Sequence, residues 1–228
     1  MYKLETKGIL YIIGSPIGNL KDITIRALET LKKVDLIYCE DTRQTKKILN
    51  TYEIKKPTKS LHSNSSSQKI ETIIKLLKQD KSIAYLTDAG TPGISDPGHK
   101  LVNLVRLNNI KVIPIPGPSA LTSLVSVSGF IAKDIFFAGF LSKKEGKKKK
   151  ELESLKEKKG IIVIYESPYR IKKLLNLIAD IFPENEIIIG REMTKIFEEY
   201  LNGKISDLVK KIDQIKTKGE FSVAILNQ

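Results

Sequence analysis

The sequence predicts an α/β fold in which each of two domains contains a mixed or mostly parallel sheet flanked by helices. Short apolar, β-branched runs of strand length alternate with segments of helical period, and this alternation occurs in both halves of the 228-residue chain. A proline-rich stretch, PIPGPSA at residues 114–120, separates the halves. Because three prolines permit neither a continuous helix nor a central strand, the boundary belongs there. The predicted domains are residues 1–116 and 117–228.

The first half shows four runs that fit buried parallel strands. Between two of them, apolar residues at 70, 73, 74 and 77 follow the i, i+3, i+4, i+7 spacing of an amphipathic helix, and a second helix is predicted around Leu101 to Val105. Strands that alternate with helices predict a parallel sheet covered on both faces. The predicted strands are Ile9 to Ile13, Asp35 to Cys39, Ser82 to Leu86 and Ile110 to Ile115.

The second half repeats this alternation, with strands predicted at IFFAGF, IIVIYES, EIIIGRE and FSVAIL. Its clearest helix is PYRIKKLLNLIADIF, because four apolar residues between Ile171 and Ile178 share one side. The segment from Leu141 to Gly160 contains nine Lys and four Glu. It fits either a solvated helix with charge pairs four residues apart or an arm that binds phosphates, and both interpretations stay open.

The composition limits the possible environment and partners of the chain. A formal charge of +13, from 39 Lys and Arg against 26 Asp and Glu, favours a polyanion such as nucleic acid as a partner, although a generally lysine-rich composition would also produce it. No stretch approaches the roughly 20 apolar residues of a membrane-spanning helix, so we expect a cytoplasmic protein. The single cysteine, Cys39, excludes a disulfide within the chain and a cysteine-rich metal site.

Three loops rich in Gly and Pro follow predicted strands of the first half. They are GSPIGNLKD at residues 14–22, TDAGTPGISDPG at 87–98 and PGPSA at 116–120. Each alone is more often a tight turn than a site, but all three lie at the same predicted edge, where α/β sheets bind ligands. The chain has neither GxGxxG nor GxxxxGK[ST], so the common nucleotide-binding loops do not explain them.

The motifs YIIGSPIGNLKDIT, LIYCEDTR, LTDAGTPGISDPG, IPGPSALTSL, FFAGFL, IYESPYR and REMTKIFEE occur in this order. Together they resemble the ribosomal RNA small-subunit methyltransferase I family, which belongs to the tetrapyrrole methylase superfamily of class III S-adenosylmethionine-dependent methyltransferases. The resemblance covers nearly the whole chain. It implies a two-domain fold with the methyl donor in the cleft between the domains, a homodimer, no metal ion, and 2′-O-methylation of a cytidine ribose in the decoding region of 16S rRNA, within the small ribosomal subunit.

The resemblance also implies which residues form the site. A ribose hydroxyl is a very weak acid, so its attack needs a base or a nearby cation. The candidates in CEDTR and REMTK are Glu40, Asp41, Arg43, Glu192 and Lys195. Of these, Glu40, Arg43 and Lys195 are taken as catalytic, Arg43 more specifically as a contact to RNA, whereas a role as helix cap stays open for Asp41. The positions that match donor-binding residues are Pro16, Asp88, Gly90, Thr91, Ile94, Ser119, Ala120 and Glu166.

Two other functions are compatible with parts of this pattern. A relative in the same superfamily could methylate a tetrapyrrole, another small molecule or a protein, but such an enzyme has less use for a charge of +13. A basic RNA-binding module without catalysis would not need three converging loops. The motifs therefore favour the RNA methyltransferase.

Overall fold

The computed structural model describes residues 8–62, 65–94 and 98–228, and the chain divides into two compact units, Met1–Ser119 and Ala120–Gln228. Residues 95–97 of the second predicted loop lie outside the described part. The sequence places the boundary after residue 116. Residues 117–119 go with the first unit because Gly117 packs against Gly14 and the carbonyl of Pro118 accepts a hydrogen bond from Thr91.

A five-stranded sheet forms the centre of the first unit. Every pair of neighbouring strands in it is parallel, in the order β3-β2-β4-β1-β5. Pro114 has no backbone N–H to donate, and the sheet tolerates it because β5 is an edge strand. The strands are β1 (Ile9–Ile13), β2 (Leu36–Cys39), β3 (Thr58–Ser60), β4 (Ile83–Leu86) and β5 (Lys111–Ile115).

Helices cover both faces of this sheet, as the alternation predicts. The helices are α1 (Ile25–Lys33), α2 (Thr42–Thr51), α3 (Ser67–Lys78) and α4 (Gly98–Leu107). Side chains of α1 and α2 form one core with Ile13, Ile37 and Leu86, whereas those of α3 and α4 form another with Leu10 and Tyr85. Each fully buried Leu or Ile in these cores contributes roughly 1.5–3 kcal/mol of burial free energy.

Strands β1 and β4 are neighbours, and their connections run in opposite directions across the sheet. The chain leaves β1 through α1 towards β2, beyond β4, and it leaves β4 through α4 towards β5, beyond β1. The two helices pack on opposite faces. The carboxyl ends of β1 and β4 are therefore the switch point of the sheet, where open α/β sheets bind their ligands.

The second unit contains a five-stranded mixed sheet in the order β6-β7-β10-β8-β9. Only β6 and β7 are parallel to each other, and the other neighbours are antiparallel. The predicted α/β class, with a mixed or mostly parallel sheet in each half, is confirmed. The strands are β6 (Ile135–Phe140), β7 (Gly160–Glu166), β8 (Glu186–Arg191), β9 (Glu199–Lys204) and β10 (Phe221–Asn227).

Four helices accompany this sheet: α5 (Ala120–Ser128), α6 (Glu145–Leu155), α7 (Ile171–Ile181) and α8 (Ile205–Lys210). The last three share one apolar core with β7, β8 and β10, to which Leu152, Leu174 and Ile205 contribute. Helix α5 packs against β8 and β10 instead. In the part of the chain that the structure describes, no helix has both the length and the apolar character to cross a membrane.

Candidate functional site

The first two glycine-rich loops are joined at the switch point of the parallel sheet. Ser15 and Gly90 exchange backbone hydrogen bonds: the amide of Ser15 donates to the carbonyl of Gly90 at 2.9 Å, and the amide of Gly90 donates to the carbonyl of Ser15 at 3.1 Å. The fully buried hydroxyl of Ser15 donates to the carbonyl of Thr87 at 3.0 Å. The loops after β1 and β4 therefore have a fixed position relative to each other.

The third loop meets the first at a close approach of two glycines. A Cβ added to Gly14 would lie 2.8 Å from backbone atoms of Gly117, and one added to Gly117 would lie 2.7 Å from the carbonyl oxygen of Gly14. Any side chain at either position would force the backbones apart. The hydroxyl of Thr91 also donates to the carbonyl of Pro118 at 3.4 Å, so the second and third loops are connected as well.

The residues expected to bind the donor are distributed over both units. In the first unit, Pro16, Gly90 and Ser119 are buried, Thr91 is half-buried, and Asp88 and Ile94 are exposed. Ala120 is the first residue of α5, and Glu166 ends β7, so both belong to the second unit. The structure thus brings six of the eight predicted residues to the three loops of the first unit.

Asp41, at the end of β2, has the helix-capping role that the sequence left open. Its carboxylate accepts a hydrogen bond from the amide of Arg43 at 2.8 Å and is the N-cap of α2. The Arg43 guanidinium binds the same carboxylate, with Nη2 2.6 Å from Oδ2, and lowers the pKa of Asp41 to about 2. The Arg43 side chain is 87% exposed, so it is accessible to RNA while Asp41 holds it.

Glu40, the residue before Asp41, is half-buried, and its carboxylate is near that of Asp88. Its amide donates to the carbonyl of Leu86 at 3.3 Å, which fixes it beside the end of β4. Burial, followed by the negative charge of Asp88, raises the pKa of Glu40 above its ordinary value. Asp88 in turn accepts a hydrogen bond from the amide of Asp41 at 2.9 Å. Glu40 therefore has a raised affinity for a proton, which is the property a general base needs.

The REMTK segment forms a strained turn after β8, in the second unit. Glu192 and Thr194 have φ angles of +49° and +67°, which are unfavourable for residues with side chains. The Glu192 carboxylate accepts hydrogen bonds from Lys195 Nζ at 2.8 Å and from the amide of Glu220 at 2.9 Å. Gly219 allows this packing, because a Cβ there would lie 2.4 Å from Glu192.

The ammonium group of Lys195 is bound by carboxylates in this turn. It also lies 3.0 Å from Glu220 Oε2. Burial lowers the pKa of Lys195, but hydrogen bonds to Glu192 and Glu220 outweigh burial and raise it overall. Burial raises the pKa of Glu192, but hydrogen bonds from Lys195 and from the amide of Glu220, with the charges of Lys195 and Arg191, together outweigh burial and lower it. Lys195 thus fits an electrostatic role, and Glu192, which stays ionised, is a poor base.

Glu166 lies in a buried cluster of charges. Its side chain has no exposed area, and its two oxygens are bound by Lys148 Nζ at 2.8 Å and by Arg170 Nη2 at 2.6 Å. The amide of Ser167 donates to the same carboxylate at 2.8 Å. Because these groups occupy both carboxylate oxygens, Glu166 has a clear role within the second unit, and its contact with a methyl donor stays a prediction.

The lysine-rich segment is a helix in which Lys147 lies 3.9 Å from Glu151, four residues further on, as the solvated-helix interpretation predicts, and Lys148 is the exception. The segment forms α6 from Glu145 to Leu155, but Lys148 points neither to solvent nor to an external phosphate, since only 7% of its side chain is exposed. The burial of Lys148 has a signal in the sequence: Lys148, Leu152 and Leu155 are spaced i, i+4, i+7 and therefore share one face of the helix. The neighbouring Lys147, Lys149 and Lys150 are exposed.

Comparison with solved structures shows that other proteins share this α/β fold with two sheets. The crystal structure of diphthine synthase covers 96% of this chain with a TM-score of 0.74 and 14% identity, and 90% of that chain is matched. That of uroporphyrin-III C-methyltransferase from Thermus thermophilus with S-adenosylhomocysteine covers 95% with a TM-score of 0.63 and 15% identity, and 97% of that chain is matched. At such low identity these likenesses show the fold.

Sequence comparison shows the family. The model of the tetrapyrrole (corrin/porphyrin) methylases matches residues 9–209, and the chain belongs to this family. A relative from Thermotoga maritima named ribosomal RNA small subunit methyltransferase I is 47% identical over 96% of this chain and 98% of its own length. Relatives with the same name from Leptospira biflexa and Bacillus subtilis are 47% and 43% identical over 87% and 96% of this chain, and over 82% and 75% of their own lengths.

Proposed function

We propose that this protein is an S-adenosylmethionine-dependent methyltransferase that acts on a cytidine ribose 2′-oxygen in the decoding region of 16S rRNA. The names of the relatives support small-subunit rRNA as the substrate class. The structural observation that carries the proposal is the meeting of three Gly- and Pro-rich loops at the switch point of the parallel sheet. We further propose that the protein acts in the cytoplasm as a homodimer and recognises the RNA within the small ribosomal subunit.

The loop after β4 fits the chemistry of the proposed methyl donor. Gly90 and Gly93 have φ angles of +78° and +87°, and a Cβ added at Gly93 would meet nothing within 4 Å, so a ligand can approach the backbone there. Asp88 is exposed and uses Oδ1 for the amide of Asp41, which leaves Oδ2 for a hydroxyl or ammonium group. Exposed Ile94 offers apolar surface to an adenine ring.

The proposed mechanism assigns one task to each of three side chains. The bound donor would supply an electrophilic methyl group whose sulfonium is already a good leaving group. Glu40 accepts the proton of the attacking ribose hydroxyl, because burial and Asp88 raise its pKa. Lys195, which Glu192 and Glu220 hold in the second unit, is proposed to contact the RNA substrate, and Arg43 binds an RNA phosphate.

Replacement of Gly90 by Val is expected to weaken binding of S-adenosylmethionine by about 100-fold or more. A β-branched residue is strained at φ +78°, and relief of that strain would move the loop and break its bridge to Ser15. Gly129→Val is the matched control, because Gly129 has φ +69° and lies outside the three loops. Calorimetry on both folded variants measures the effect. Normal donor binding by Gly90→Val would contradict the assigned site.

The proposed reaction is tested by mass spectrometry of nucleosides. Small subunits and naked 16S rRNA are incubated separately with the protein and labelled donor, and the expected product is cytidine methylated on ribose. Methyl groups found only on bases, or transferred to a porphyrin precursor in preference to rRNA, would refute the proposal. Preference for the intact particle over naked RNA would support the proposed recognition within the subunit.

A further inference from the structure

A groove on the second unit lies outside the three loops of the first. Its volume is about 860 Å³. It adjoins the REMTK turn but extends beyond it, to residues that precede β10 and to the segment between β7 and α7. The residues that give its lining charge or an aromatic ring are Tyr169, Lys172, Glu192, Lys195, Lys218 and Glu220.

Tyr169 gives this groove an exposed aromatic ring. The side chain is 93% exposed, although burial of an aromatic ring ordinarily stabilises a fold. Pro168 precedes it and restricts the backbone that carries the ring. An exposed aromatic ring in a groove that also contains lysines is the arrangement on which unpaired nucleic-acid bases stack.

The lining residues of the groove carry a net charge of +1, from three Lys against two Glu. The carboxylates of Glu192 and Glu220 both bind Lys195, so that lysine contributes no free positive charge. Lys172 and Lys218 provide the remaining positive charge. Lys172 lies 3.0 Å from Asp213, whose side chain is 95% exposed, and such exposed pairs contribute little, so a phosphate can replace the carboxylate. Within the described residues, Lys218 has no salt-bridge partner.

From these contacts we infer that the groove binds a single-stranded segment of the RNA substrate, with one base stacked on Tyr169 and the flanking phosphates at Lys172 and Lys218. This inference rests on the proposed function and adds an RNA-docking site on the second unit. Double-stranded RNA does not fit the inference, since its bases are stacked on each other and cannot cover a protein ring. The overall charge of +13 favours RNA over a protein partner.

The test measures binding of a fluorescent single-stranded RNA of about 12 nucleotides, and of its duplex, by anisotropy. Tyr169→Leu is expected to weaken single-strand binding roughly 10- to 100-fold, whereas Tyr169→Phe, which keeps the ring, should bind as the wild type does. Lys218→Ala and Lys172→Ala should each reduce the slope of log K against log salt by about 0.7. Lys78→Ala, an equal loss of charge on α3, should leave the affinity and its slope unchanged.

The outcomes separate this inference from the proposed function. If the wild type methylates rRNA but Tyr169→Leu binds the single strand as tightly as Tyr169→Phe, the groove is not the docking site. Equal losses for Leu and Phe would also overturn stacking, because only the phenolic hydroxyl is absent from both. If the wild type neither binds nor methylates RNA, the proposed function and this inference both fall. Unchanged donor affinity in Tyr169→Leu, with a raised KM for RNA, supports docking.

Discussion

Replacement of Glu40 by Gln is expected to lower the methyl-transfer turnover number by about 10²- to 10⁴-fold, the usual contribution of a positioned base. Gln keeps the size and polarity of Glu40 but cannot accept the proton of the ribose hydroxyl. Donor affinity should change little, since Glu40 is proposed to act only on the acceptor. Single-turnover rates with saturating donor and RNA measure the effect, and Glu71→Gln, at an exposed position on α3, is the matched control.

The pH dependence provides a second check on Glu40. A base must be ionised, and burial together with the charge of Asp88 raises the pKa of Glu40, so activity should fall on the acidic side at a higher pH than for an ordinary glutamate. The raised pKa also means that ionised Glu40 destabilises the fold near neutral pH. Glu40→Gln should therefore unfold at higher urea concentration at pH 7, and this difference should vanish at low pH, where Glu40 is protonated. An inactive variant without that pH signature would point to a structural defect.

Lys148→Ala is expected to lower the free energy of unfolding of the second unit by about 3–5 kcal/mol. The substitution leaves the fully buried carboxylate of Glu166 with Arg170 as its remaining cation. Lys149→Ala removes an equal charge from the exposed side of α6 and should change stability by less than about 0.5 kcal/mol. Urea unfolding gives the size of the loss, and hydrogen exchange in β7 shows whether it arises in the second unit.

A double substitution tests the cause of that loss. Lys148→Met combined with Glu166→Gln removes the Lys148–Glu166 pair at similar volume but leaves the Arg170 guanidinium, 24% exposed, without its carboxylate, so it should recover only part of the stability that Lys148→Ala loses. If Lys148→Ala is as stable as Lys149→Ala, the buried ion pair does not stabilise the unit.

The strands predicted from sequence were those with long apolar runs, because burial in the middle of a sheet requires such runs. Strand β3 was missed, since its three residues, TKS, are short, polar and partly exposed at the edge of the sheet. Strand β9 was missed because EYLNGK contains Asn202 and Gly203, which indicate a turn, and Gly203 has φ +141°. The order of the strands could not be predicted, since pairing joins residues far apart in the chain.

The site was predictable where its chemistry lies within one loop. The three loops after β1, β4 and β5 follow directly from Gly and Pro at strand ends, and the capping role of Asp41 follows from its place before α2. The partners of Glu166 could not be read in the same way, because Lys148 is 18 residues away and looks like its exposed neighbours. The strain at Glu192 was also hidden, since the sequence does not show a positive φ angle.

The contact between Gly14 and Gly117 has a consequence for engineering of the chain. Proline- and glycine-rich connections are ordinarily among the places that accept inserted sequence. Residues 116–119 should not accept an insertion. Gly117 lies against the backbone that leaves β1, and the carbonyl of Pro118 accepts a hydrogen bond from the hydroxyl of Thr91. The exposed stretch near Gly129 should accept an inserted peptide more readily than residues 116–119, since a Cβ added at Gly129 meets nothing within 4 Å.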